Sequence, residues 1–395
     1  MTGRALRFCV LGVHSLEGQG PKVGSQHIAE TLAAQGHEVV YVTAHASWVT
    51  LFFKQHRAKY LRSFRPIRLS DRLVQVTPVN FLPMRAVKRL EGTPFEWAAT
   101  RVNSLMERTR GRVVERDEFD FCIFSAASTM TLLPRIKATR YIYRVNDLLS
   151  GFDALPRKLL EFEGRMLDEL PIAEVCAVNE ELAVQVRARH PRLTVRVVPN
   201  GVDLPLFERA EPDQVLLPTR STNVIYVGTF DLWTDVDLML ATAELLPGYT
   251  FHLFGTWRRK SPPRLPSNLR IHGPIRHHSV AAKMKGCCVG LIPSGRENAG
   301  RLVSKPLKYY EYLAAGLGVA ATSYAGKGLE PYAVIGDTPE ALAAAILQAR
   351  SVPERLGSEI REALSHLGWD FLVREMYQGW VELLPNQAFH RPLLT

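Results

Sequence analysis

"RLVSKPLKYYEYLAAGLGVAAT" (Arg301–Thr322) reads as a helix that delivers the chain into a short apolar strand. Ser304 is placed for an N-cap, Pro306 belongs in a first turn, and Gly316 ends the helix before the strand. At helical spacing Ser304, Lys308 and Glu311 share a polar stripe, while Leu307, Tyr310 and Ala314 form a stripe suited to core packing. A helix N-terminus presents free N–H groups and partial positive charge, and Lys308 adds a full charge one turn in, an arrangement that captures phosphate. Glu311 is then placed to accept hydrogen bonds from ribose hydroxyls. On an arbitrary helix the same Lys and Glu would form an exposed i, i+3 pair.

Outward from this segment the chain alternates short apolar runs with helical patterns. Strands are expected at 6–12, 38–44, 120–125, 140–144, 173–178 and 194–198, and after a turn-rich linker at 223–228, 249–255, 287–292 and 318–322. Helices are expected at 24–36, 93–112, 154–169, 179–189, 234–245, 277–285, 303–315 and 338–350. The runs are near-continuous in apolar residues, as strands covered on both faces of a parallel sheet must be. This is the α/β, doubly wound pattern, repeated in two halves. Two such sheets facing each other leave a cleft lined by the loops that follow their strands. The length of 395 residues also exceeds what one core organises. We expect domains at 1–205 and 206–369, with a final helix near 370–384, within 370–395, packing back on the first.

The Arg301–Thr322 pattern, S-x-P-x-K-x-x-E-x-x-A-x-G before a strand, resembles the nucleotide-binding stretch of GT-B glycosyltransferases, as does "NGVD" (Asn200–Asp203). The resemblance implies a GT-B architecture, Lys308 on a diphosphate and Glu311 on a ribose. It also implies donor contacts from "VGTF" (Gly228, Thr229, Phe230), with Arg301 and Ser304 nearby. Retaining members carry a first Glu eight residues before the second; that position here is Val303. An inverting transfer needs instead a general base that deprotonates the acceptor hydroxyl. "YIYRVNDLLSGFD" (Tyr141–Asp153) is similar to the "YR-x-x-D-x-L-S" segment of the xanthan-type membrane-associated β-glucuronosyltransferases, the GumK type, with Tyr143, Arg144, Asp147, Leu149 and Ser150 aligning without a gap. The resemblance implies Asp147 as base, and Asp153 is the better N-cap of the following helix. Pro274 stands where that family places a glutamate, and Glu311 where it places a glutamine.

The loop Gly12–His27 contains Gly18, Gly20 and Gly24 without the spacing of a dinucleotide fingerprint, which argues against a dehydrogenase. We assign His14, Gly20 and His27, with Arg144, to the acceptor side. Arg258, Arg259, Lys260, Arg296, Arg301 and Lys305 surround the donor segment with no acid between Glu244 and Glu297. Such a field suits a nucleotide diphosphate, and an Arg in it suits a uronic acid carboxylate.

The net charge is +10, and between 51 and 90 ten basic residues face one acid, so nearly the whole excess is local. In Ser47–Leu69 a helical reading puts Phe53, Tyr60 and Phe64 on one stripe, with Lys54, Arg62 and Arg65 largely opposite and Arg57 in the same basic run. Aromatics beside unpaired cations suit an anionic membrane surface; a solvated basic face over core aromatics is the alternative. No recognition motif supports nucleic acid. The five cysteines carry no C-x-x-C spacing and read as buried reduced thiols, not a metal site. No apolar run is long enough to span a membrane, and the N-terminus lacks a leader pattern.

Together these readings give an inverting, metal-independent glycosyltransferase without cofactor. It would move a sugar, glucuronic acid among the candidates, from a UDP-sugar to a lipid-linked saccharide in glycan biosynthesis. Its expected location is peripheral, on the cytoplasmic face of the inner or plasma membrane. A retaining GT-B hexosyltransferase, a GT-B nucleotide-sugar epimerase and a non-catalytic lipid- or nucleic-acid-binding protein are the alternatives.

Overall fold

The computed structural model describes residues 5–17, 22–48, 52, 61, 65–82, 86, 89–90, 93–95, 118–125, 128–148, 157–231, 233–258, 264–296, 305–325 and 328–384. The chain divides into two compact units: Met1–Leu16, Gly24–Val198 and Val373–Thr395 form one, and Glu17–Val23 with Pro199–Leu372 the other. The division falls after Val198, not after 205, because Val202 and Phe207 are buried in the second unit's core and the Val202 N–H donates to Leu367 O at 2.8 Å.

The first unit holds an eight-stranded sheet. Its strands are β1 (Arg7–Leu11), β2 (Glu38–Val42), β4 (Ile67–Ser70), β5 (Leu73–Val76), β7 (Glu118–Ser125), β8 (Lys137–Val145), β9 (Ile172–Ala177) and β10 (Val195–Val197). They lie in the order β10-β9-β8-β7-β1-β2-β5-β4. All neighbours pair in parallel except β4, which runs antiparallel to β5 at the edge. A separate pair joins β3 (Ala46–Ser47) to β6 (Val79–Asn80). Helices α1 (Gly24–Ala34), α2 (Arg157–Glu169) and α3 (Glu180–Arg189) complete the described part of the alternation. Phe8 and Phe121 stack across β1 and β7 at 5.5 Å.

The second sheet contains β11 (Asn223–Val227), β12 (Thr250–Phe254), β13 (Leu269–Gly273), β14 (Val289–Ile292), β15 (Gly318–Ala321) and β16 (Ala333–Ile335). Its order is β13-β12-β11-β14-β15-β16 and every pair is parallel. Counted within the unit this is 3-2-1-4-5-6, the Rossmann order. Its helices are α4 (Leu204–Arg209), α5 (Val236–Leu245), α6 (His277–Lys285), α7 (Leu307–Ala314), α8 (Pro339–Ala349) and α9 (Val352–Ser365).

The final helix, α10 (Trp369–Val381), passes from the second unit into the first at Val373. Trp380 is 1% exposed and its indole N–H donates to Glu174 Oε2 at 2.8 Å. Glu174 also accepts two bonds from Arg196, both at 2.7 Å, so the buried carboxylate is compensated. All five cysteines are free thiols and four are buried. Among the described residues no helix is long and apolar enough to cross a membrane.

Three expectations need correction. The helix read over 303–315 begins only at Leu307, because Lys305 has φ +45° and Pro306 is extended. The helical reading of Ser47–Leu69 fails at its end, where Ile67–Ser70 is an exposed edge strand. The unit-two strands β13 and β16 were absent from the reading; β13 alternates polar Arg270 and His272 with apolar residues, as an edge strand does, and β16 has three residues. The helix expected at 93–112 lies outside the described residues beyond 95, as does Asp153.

Candidate functional site

In the second sheet the strand order reverses between β11 and β14, the position where open α/β sheets bind ligands at their carboxyl ends. There the Gly228 N–H donates to Phe254 O at 2.9 Å and the Gly255 N–H to Gly273 O at 2.8 Å. The two glycines meet closely: a Cβ on Gly255, whose φ is +152°, would lie 1.6 Å from the Gly228 carbonyl oxygen. A Cβ on Gly228 would lie 2.7 Å from Tyr226 Oη and 2.9 Å from Lys308 Nζ. Gly228 therefore leaves its space to a lysine ammonium at the strand end. Thr229 is half-buried and its carbonyl accepts hydrogen bonds from Tyr226 Oη and Thr234 Oγ1, each at 3.0 Å. Phe230, expected to contact a donor, is 0% exposed; its ring packs between Tyr226 and Trp257 at 5.1 Å from each, so its role is in the core.

Helix α7 carries Lys308 and Glu311 and is keyed to the sheet by Tyr312. The Tyr312 hydroxyl accepts from the Val227 N–H at 3.1 Å and donates to Leu291 O at 3.2 Å, bridging β11 and β14. Its ring lies where a side chain on Gly290 would stand, 2.3 Å from a Cβ there. The buried face is Tyr309, Tyr310, Tyr312 and Leu313, while Leu307 and Ala314 are only half-buried; the core stripe read from spacing is thus displaced. The helix has Pro306 at its N-cap and no side-chain cap bond, and Ser304 and Arg301 lie outside the described residues. Of the surrounding cations, Arg258 and Arg296 are exposed and Lys305 is half-buried, while Arg259 and Lys260 are not among the described residues.

Burial pushes the Glu311 carboxyl up to about 7, with Asp203 adding to the rise and Lys308 opposing it. The consequence has a definite sign. A carboxyl whose folded value is raised holds its proton longer in the folded chain, so the stability it permits is full below about 4.5 and falls as pH rises through about 7. Glu311→Gln removes that decline. We expect variant and wild type to melt together near the acidic end and the variant to melt higher at pH 8, as scanning calorimetry across pH will show.

In the first unit Asp147 stands two residues beyond β8 and is half-buried. Its neighbour Asn146 donates from Nδ2 to Ser125 Oγ at 3.3 Å, tying the ends of β8 and β7 together. Arg144 and His27, expected on the acceptor side, are 2% and 6% exposed. Arg144 points into the unit and donates from Nη1 to Val198 O at 3.3 Å, and His27 is buried on α1. Both side chains are thus part of the interior of the unit, where the sequence reading set them on the acceptor side. His14 is exposed, and its carbonyl accepts from Tyr41 Oη at 2.8 Å; Gly20 lies outside the described residues. Beneath Asp147, Tyr143 donates to Glu163, whose carboxyl is raised chiefly by burial.

Of the residues assigned to membrane contact, Phe53, Lys54, Arg57, Tyr60, Arg62 and Phe64 lie outside the described residues, and Arg65 is exposed. Beside them, Trp48 stacks on Phe81 at 4.9 Å and meets Phe52 edge-on at 5.1 Å, with Phe52 70% exposed.

Sequence spacing missed Tyr226, Tyr312 and Gly255, and singled out Asp203 only as the end of "NGVD". One signal was present: β11 and β12 end alike, in Gly228-Thr229 and Gly255-Thr256. Matching glycines at adjacent strand ends mark backbones that approach too closely for a Cβ.

Residues 10–169 match the family model described as "Glucuronosyltransferase GumK, N-terminal domain". The N-terminal unit is similar to GumK. The GumK-type match covers Asp147 and the strands from β2 to β8, so the resemblance read from "YRVNDLLS" extends over most of this unit. Solved structures match across both units. Sucrose-phosphate synthase of Thermosynechococcus elongatus is 18% identical, with TM-score 0.67, over 96% of this chain and 99% of that one. HepE of Anabaena, solved with UDP, is 12% identical with TM-score 0.62, over 96% and 100%. A glycosyltransferase of Rickettsia africae is 13% identical with TM-score 0.56, over 98% and 100%. At these identities the likeness is one of fold, and the fold is GT-B, two Rossmann-like domains in one chain. No curated protein matches the chain in sequence.

Proposed function

We propose that this GumK-like protein is an inverting glycosyltransferase that moves a sugar from a UDP-sugar to a lipid-linked saccharide in glycan biosynthesis. The observation that carries the donor half is the Lys308 ammonium set 2.9 Å from the place a Gly228 Cβ would occupy, at the reversal point of the second sheet. A departing diphosphate carries the charge that such a lysine, together with helix-end amides, stabilises. The solved HepE structures with UDP and with UDP-glucose support uridine as the donor nucleotide for this fold.

In the proposed reaction Asp147 takes the proton from the acceptor hydroxyl, and the hydroxyl oxygen attacks the anomeric carbon. The bond from that carbon to the diphosphate breaks, UDP leaves with the electron pair, and the new glycosidic bond has inverted configuration. Glu311 binds the ribose hydroxyls as a carboxylate. Lys308 supplies the positive charge at the leaving group, so transfer is expected to persist in EDTA. Glucuronic acid is the proposed sugar, following the GumK match and the acid-free cationic stretch from 245 to 296.

The test is transfer from UDP-glucuronic acid and other UDP-sugars to a lipid-linked saccharide, with the product's anomeric configuration read by NMR. Inverted product supports the reading; retained configuration rejects the Asp147 mechanism. Conversion of donor without acceptor would show an epimerase.

The basic segment and the exposed Phe52 support peripheral docking on the anionic cytoplasmic leaflet. We expect flotation with vesicles containing anionic lipid, none with neutral vesicles, and release by salt, because charge attraction falls within the Debye length of about 10 Å at 0.1 M. Binding to nucleic acid with no lipid preference would reject this docking.

A further inference from the structure

We infer that Tyr226 is a positioning residue of the donor site: its ring is the platform that holds the Lys308 ammonium at Gly228, and its hydroxyl fastens the loop that follows. The inference rests on the proposed donor reading and goes beyond it, to a side chain inside the core.

Tyr226 lies on β11 and is 1% exposed, in the cluster of Val224, Phe230, Val236 and Met239 on one face of the sheet. Helix α7, through Tyr309 and Tyr312, belongs to the cluster on the other face. Lys308 nevertheless reaches the Tyr226 ring, with Nζ 4.5 Å from its centroid. The lysine can cross only where the strand end offers no side chain, and that place is Gly228, whose missing Cβ would stand 2.9 Å from Nζ and 2.7 Å from Tyr226 Oη. A cation over the negative face of an aromatic ring is attracted to it, most strongly when water is excluded. The contact confines a side chain that otherwise has four rotatable bonds, so the ammonium is held in place before any diphosphate arrives.

The hydroxyl acts on the loop. Tyr226 Oη, Thr229 O and Thr234 Oγ1 form a triangle with all three sides at 3.0 Å. Two protons serve it: both hydroxyls donate to Thr229 O, or one donates to the other, which donates to the carbonyl. Either way Thr229 is tied to Thr234, and the Asp235 N–H, next in the chain, donates to Pro293 O at 2.8 Å after β14. The two loops that flank the reversal point are thereby fixed to each other.

The experiment has two arms on the full-length protein. Calorimetric titration with UDP compares wild type, Tyr226→Phe, Tyr226→Leu, Lys308→Ala and the Tyr226→Leu/Lys308→Ala double variant. We expect Tyr226→Leu to weaken UDP about tenfold, from the lost cation–π contact in a desolvated setting, and Tyr226→Phe about threefold, from the lost hydroxyl bonds. The double variant should bind only about threefold more weakly than Lys308→Ala alone, the hydroxyl's share, because the ring acts through the lysine. Full additivity would overturn the inference. The second arm needs no nucleotide: reductive dimethylation with ¹³C should give Lys308 a resonance displaced upfield by the ring current, assigned by its absence in Lys308→Arg and shifted back in Tyr226→Leu. An undisplaced Lys308 resonance in wild type overturns the platform even if Tyr226→Leu does not fold. Wild type that shows the displaced resonance but binds no uridine nucleotide would reject the donor reading and leave the placement of Lys308 standing.

Discussion

Replacing Asp147 by Asn is expected to lower the rate of sugar transfer about a thousandfold, the scale of a lost general base, while UDP affinity stays unchanged. The substitution keeps the side chain's volume and a capacity to hydrogen-bond at this half-buried position. What it removes is the acceptor for the proton of the attacking hydroxyl. The two proposed roles fall on different units, Asp147 on the first and Lys308 on the second. A deficit in kcat with unchanged nucleotide binding therefore separates base from donor site. Steady-state kinetics with UDP titration of the same preparation measures both. Unimpaired turnover would remove Asp147 from the mechanism.

The largest stability effect is expected at Gly255. A methyl group there would stand 1.6 Å from the Gly228 carbonyl oxygen, and neither partner is a side chain that can rotate away. The φ of +152° is also one that residues with a Cβ rarely adopt. Overpacking against backbone with conformational strain places the cost of Gly255→Ala at about 3–5 kcal/mol, a large share of a stability that is typically ~5–15 kcal/mol. For a unit of this size that is a fall in Tm of roughly 10 °C. Gly248→Ala serves as the control, since nothing lies within 4 Å of a Cβ there and its φ is ordinary. Scanning calorimetry that shows equal Tm values for the two variants would contradict the close approach of the two strand ends.

Much of the fold was legible because parallel strands must be apolar on both faces. "RFCVL", "FDFCIF" and "NVIYV" announce themselves by continuity, and each lies at the centre of its sheet. The edges were not legible for the complementary reason. In β13 the polar Arg270 and His272 alternate with apolar neighbours, and β4 is exposed and basic, so each resembled loop or helix.

Lys308 and Glu311 could be found because their spacing carries a chemistry. Tyr226 and Tyr312 could not, since a tyrosine in a buried run looks like any core residue until its hydroxyl and ring are placed. Arg144 shows the opposite error: its neighbours matched a motif, and motif alignment says nothing about burial. The Glu311 carboxyl is likewise raised chiefly by burial, with a smaller push from Asp203, more than a hundred residues away in sequence. It gives the site a pH dependence that spacing did not reveal. If ribose binding requires the carboxylate, UDP-sugar affinity should rise about tenfold from pH 6 to pH 8 and become flat in Glu311→Gln.

The central claim is that the reversal point of the second sheet binds a uridine diphosphate through Lys308. Calorimetric titration of UDP into wild type and Lys308→Ala tests it most directly. The account predicts saturable binding by wild type and a loss of at least about tenfold in the variant, the contribution of a charge-assisted contact to phosphate. Equal affinity in the two proteins, or no binding of UDP by wild type, would contradict it.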